Sequence, residues 1–132
     1  MPVANPYAAG SELVANAFAT KRRQVILSNA APVPSTELLC SGMPHLFFWI
    51  SQDPGTLGAL VTPQFVMRAG TGVGAPVDEW LNLQPQQSIP PGGIPIIIRE
   101  HFPAVKVRLM FEINPAAPNV ATPIQYVIAC SA

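Results

Sequence analysis

Charge is scarce in this sequence. Its 132 residues carry seven Lys or Arg and seven Asp or Glu, 11% of the chain, with a formal net charge of zero. A charged share of about 25% is usual. A compact chain of 14.0 kDa exposes roughly 6,700 Å², so each charge serves about 480 Å². A dispersed monomer keeps a denser coat of mixed sign around itself. Ser, Thr, Asn and Gln are too few here to replace that coat, so apolar surface is expected to meet a partner. The same scarcity argues against direct nucleic-acid binding. Lys21-Arg22-Arg23, Arg68, Arg99, Lys106 and Arg108 supply all the basic side chains, and a net charge of zero leaves little affinity from counterion release.

Cysteine and histidine are also sparse, with two of each: Cys40, Cys130, His45 and His101. No CxxC occurs and no Cys/His set offers four metal ligands, so no metal or cofactor is expected. Sequence alone leaves two states open for the cysteines, one disulfide or two half-buried thiols. Acid–base or nucleophilic catalysis needs a positioned partner for its His, Cys, Lys or carboxylate. His45 opens an apolar stretch, and His101 closes Arg99-Glu100-His101; neither spacing supplies such a partner. Glu100 and Glu112, or the adjacent Asp78 and Glu79, are carboxylate pairs only in name, since neighbours on a strand point to opposite faces. The glycine-rich GTGVG at 70–74 lacks the Gly-Lys-Ser/Thr ending of a phosphate loop. These absences predict a protein that is not an enzyme. No apolar run approaches the ~18 residues of a membrane-crossing helix. The opening Met-Pro-Val-Ala-Asn-Pro has neither the basic nor the apolar region of a signal peptide, so none is expected.

Turn formers are abundant instead. Sixteen prolines and nine glycines make about one residue in five, where roughly 12% is usual. They are spread along the chain, as many short strands joined by turns require. Residues 1–22 read as an extended N-terminal arm, with a short helix from Ser11 to Phe18 capped by Ser11. Residues 23–132 read as one domain. Strands are expected at 24–28, 37–40, 45–51, 62–68, 78–83, 94–99, 104–112 and 124–130. His45–Ser51 (HLFFWIS) is apolar on both faces and therefore buried on both, in a core or an interface. Ala104–Glu112 alternates cleanly, with Val105, Val107, Leu109 and Phe111 on one face. Pro91-Gly92 fits the two corners of a type II turn. The fold predicted is all-β: an antiparallel β-sandwich, jelly-roll-like, of about seven or eight strands.

The aromatics are the remaining resource. Phe47, Phe48 and Trp49 cannot all face one way, so at least one points away from the others. The candidate contact residues are one face of 46–50, drawn from Phe47, Phe48 and Trp49, together with Tyr7, Leu13 and Phe18 of the arm. Trp49 or Trp80 can alternatively serve as a sugar-stacking platform, the carbohydrate-binding-module reading.

Several features in sequence order are similar to small β-sandwich virion proteins of tailed bacteriophages. These are the small-residue arm before Arg22-Arg23, the QVILSNA of 24–30, the PPGG of 90–93 feeding IPIII, the alternating VKVRLMF of 105–111, and a strand near the C-terminus. The resemblance implies a structural virion protein made in the host cytoplasm. It implies a capsid decoration or cement protein, a dimer or trimer on the capsid surface, bound to the major capsid protein over joints between its subunits. A phage tail, neck or fibre component is the nearest alternative.

Overall fold

The computed structural model describes residues 11–14, 17–27, 31–53, 59–67, 79–113 and 122–132; of residues 11–14, 17 and 18 it describes the backbone. Among these, every regular element is a strand: β1 (Ser11–Val14), β2 (Ala17–Thr20), β3 (Arg23–Leu27), β4 (Val33–Pro34), β5 (Leu38–Leu39), β6 (His45–Gln52), β7 (Ala59–Val66), β8 (Leu81–Asn82), β9 (Gln87–Ile89), β10 (Ile96–His101), β11 (Lys106–Ile113) and β12 (Thr122–Ser131). The short helix expected over Ser11–Phe18 is not formed. Its described residues belong instead to β1 and β2, an antiparallel pair in which Leu13 is the register partner of Phe18. A helix of about nine residues is marginal alone, whereas β2 gains a ladder with Ala129–Ser131 of β12.

The strands form two antiparallel sheets. The first has the order β1-β2-β12-β6-β10, with β3 also along β12; the second has the order β4-β11-β7-β8, with β5 also along β11 and β9 along β7. β12 is long enough for two partners on one edge: Thr122–Tyr126 pairs with β3 and Ala129–Ser131 with β2. Beyond β3 the chain crosses repeatedly between the sheets.

The alternation read from the sequence sets what lies between them. Val107, Leu109, Phe111 and Ile113 of β11 point inward, as do Ile124, Tyr126, Ile128 and Cys130 of β12 and Leu46, Phe48 and Ile50 of β6. These side chains form one buried cluster with Leu27, Leu38, Val61, Phe65, Ile89 and Ile98. Residues of both sheets meet in one apolar layer, the arrangement of a β-sandwich. The turn at 90–93 carries the chain from β9 in the second sheet to β10 in the first. Gly92 there has φ 86°, the positive value the second corner of the expected turn needs.

Candidate interaction face

Period-two geometry sends the odd-numbered residues of β6 to the outside of the first sheet. His45, Phe47 and Trp49 project there, between the outward residues of β10 and β12. The register makes rows across three strands: Ile97, Trp49 and Val127; Arg99, Phe47 and Ala129; His101, His45 and Ser131. The middle row extends to Ala19 of β2. The result is a patch of aromatic, branched and small side chains. Ile97 is 53% exposed, and Ile26 on neighbouring β3 is 55% exposed.

Two arginines belong to this patch. The Arg22 guanidinium lies 5.0 Å from the Trp49 ring centre and that of Arg99 lies 5.8 Å from Phe47. Among the described residues neither forms an ion pair with a carboxylate. Glu100, next to Arg99 in sequence, points to the other side of the sheet and accepts a hydrogen bond from Gln84 Nε2. Asp53 accepts from Gln125 Nε2 at 3.1 Å.

The outside of the second sheet is different. Arg108 of β11 sits 4.1 Å from the Trp80 ring centre and donates from Nε to Gln64 Oε1 at 2.8 Å. Burial lowers the Arg108 pKa below its ordinary value, and Glu37 opposes that shift. Lys106 reaches Glu37 at 3.7 Å, and Gln64 Nε2 donates to Asn82 Oδ1 at 3.1 Å. On the first sheet Arg22 and Arg99 lie over aromatic rings with no acidic partner among the described residues.

The expected contact residues separate accordingly. Phe47 and Trp49 lie on the outer face of the first sheet. Phe48 is 0% exposed in the core, so its place among the contact residues is corrected: it holds the two sheets together. Leu13 and Phe18 fall on β1 and β2, the outermost strands beside β12, and Tyr7 lies outside the described residues. Sequence reading missed Arg22, Ile26, Ile97, Arg99 and Val127. Alternation along β10 and β12 placed Ile97, Arg99 and Val127 on a face, but only the strand order brings these three beside Phe47 and Trp49; Arg22 and Ile26 come from β3 and the residue before it.

The other chemistry-bearing residues are also paired off by the fold. Cys40 and Cys130 are free thiols, both buried, contributed by opposite sheets. A hydrogen bond to Cys130 and burial push the Cys40 thiol far above its ordinary pKa, leaving it protonated. Such a thiol is a weak nucleophile. His45 and His101 stand opposite each other with ring centres 4.7 Å apart. With Phe47, Arg99 and Ser131 they line an open depression of about 590 Å³. Among the described residues no three His, Cys, Asp or Glu converge as a metal set, and no helix is long and apolar enough to cross a membrane. No family model matches the chain, and neither a curated protein nor a solved structure matches it.

Proposed function

We propose that this chain is a structural virion protein and not an enzyme. In this reading it is a capsid decoration protein that adheres, as a dimer or trimer, over joints between major capsid subunits. The observation that carries the reading is the outer face of the first sheet, where Phe47, Trp49, Ile97 and Val127 lie together with Arg22 and Arg99 stacked on the two rings. Aromatics and arginine are the residues most enriched at the energetic centres of protein interfaces. Stacked guanidiniums keep their N–H groups available for carboxylates, so the partner surface is apolar at its centre and acidic at its rim.

The fold reading that goes with this is a jelly roll. Its support is the strand order β3-β12-β6-β10 in one sheet and β4/β5-β11-β7-β8/β9 in the other. That is the order two interleaved Greek keys generate, and double-sheet jelly rolls recur in capsid and lectin domains. The lectin-like alternative has less support from the aromatics. Each Trp described as a sugar platform, Trp49 or Trp80, already has a guanidinium over its ring.

The test is co-sedimentation of the purified chain with shells assembled from the major capsid protein of the same virus. Saturable occupancy that falls at least tenfold in Trp49→Ala is the expected result. No association with shells, or association with tails alone, removes the decoration reading.

A further inference from the structure

The two histidines form a site that the adhesion reading does not use. His101 of β10 pairs directly with His45 of β6. Phe102 N donates to Pro44 O at 2.7 Å just beyond them. That contact makes 102 and 44 a hydrogen-bonded pair, and pair types alternate along an antiparallel ladder. His101 and His45 are therefore a non-hydrogen-bonded pair, the kind whose Cα atoms are only about 4.5 Å apart and whose side chains approach most closely. Both imidazoles are on the outside of the sheet and exposed, with ring planes at 73° and centres 4.7 Å apart.

We propose that His45 and His101 chelate a divalent transition-metal ion of the copper, nickel and zinc class. A metal bonded at about 2.1 Å to two imidazoles holds their nitrogens roughly 3 Å apart. Centres 4.7 Å apart reach that spacing by side-chain torsion alone, with no backbone movement. The ladder on both sides of β6 fixes the Cα positions, so little ordering cost remains at binding. Ser131, opposite His45 on β12, places a hydroxyl on the same face. The open depression leaves room for water at the other positions. Imidazole donors favour copper, nickel and zinc over magnesium and manganese. Arg99 lies on the same face and is directed over Phe47, and Glu100 is held by Gln84 on the opposite side; neither is a ligand. The thiols do not compete, since Cys40 and Cys130 are 0% and 1% exposed.

The experiment is calorimetric titration of the full, untagged chain with NiCl2, ZnCl2 and CuSO4, with MgCl2 and MnCl2 in parallel. One copper, nickel or zinc ion per chain is expected, copper binding tightest, with no heat from magnesium. His45→Ala and His101→Ala should each weaken binding at least tenfold while leaving the melting temperature of the metal-free protein unchanged within 2–4 °C, the shift of roughly 1 kcal/mol or less. The copper EPR spectrum should show nitrogen hyperfine structure from two imidazoles, reduced to one in either variant. Unchanged affinity in both variants, absence of binding, or equal binding of magnesium overturns the assignment.

Discussion

Cys40 and Cys130 show how one pair of side chains ties the two sheets. Cys40 follows β5 in the second sheet and Cys130 lies in β12 of the first, and both belong to the buried cluster. The Cys40 thiol also donates to Leu38 O at 3.7 Å. Its pKa is raised, chiefly by the hydrogen bond to Cys130 and then by burial, from an ordinary 9.0. The folded thiol thus stays protonated where the unfolded one ionises. Its contribution to stability is complete below the unfolded value and is lost as pH rises past it, toward the raised folded value. The melting temperature is therefore expected to fall between pH 8 and pH 10, and Cys40→Ala should flatten that slope. In the folded protein, Ellman's reagent should label neither cysteine at pH 8; on unfolding it should label both. The sequence showed two cysteines outside any CxxC. That they meet depends on a 90-residue separation in the chain closing across two sheets, which no local pattern encodes.

At the scale of elements, the sheets contain three changes of partner, and each is handled by a particular side chain. Along β12 the partner changes from β3 to β2, and Thr20 Oγ1 accepts from Ile128 N at 3.0 Å in the gap. Along β11 it changes between β4 and β5. There Ser35 N donates to Leu109 O at 2.8 Å, and Ser35 Oγ accepts from Leu109 N at 2.8 Å. Along β7 it changes between β8 and β9, where Pro63 has no N–H to leave unpaired and its carbonyl accepts from Leu83 N at 2.8 Å. A buried donor left without an acceptor costs about 1–3 kcal/mol. Ser35→Ala strands the Leu109 N–H in this way, and urea denaturation should show a loss of about 2 kcal/mol with an unchanged m-value. These joints explain what sequence reading could reach. β11 and β12 were legible because eight or ten residues alternate against a continuous core. β4 and β8 have two residues each and exist only because β11 and β7 offer them a ladder. β1 and β2 were misread because Leu13, Ala17 and Phe18 also fit a helical spacing.

For the whole molecule, the decisive contrast is between its two outer faces. On the second sheet Lys106 pairs with Glu37, and an exposed pair of this kind adds about 1 kcal/mol or less. On the first sheet Arg22 and Arg99 lie over Trp49 and Phe47 with no carboxylate partner among the described residues. The charge deficit in the composition raises the expectation of an apolar contact surface, and period two places Phe47 and Trp49 together on one face. Neither could identify the face's other members, because β10 and β12 are brought beside β6 from far along the chain. Four strands spaced about 4.8 Å apart and about seven residues long at 3.3 Å per residue cover roughly 450 Å². Against a partner, that is about 900 Å² in total, below the 1,200–2,000 Å² of a stable interface. On the proposed decoration role, one copy would bind weakly and firm adhesion would require two or three linked copies acting together. Light scattering over a hundredfold concentration range should give a constant mass of two or three chains. Ile97→Glu puts a carboxylate beside Trp49 on the outer face without touching the core, so stability should change by less than about 0.5 kcal/mol. If the face serves the shell, this variant keeps the mass of the parent and loses shell binding. A variant that falls to a monomer would instead place the face between copies, and the adhesive surface would have to be sought elsewhere on the molecule.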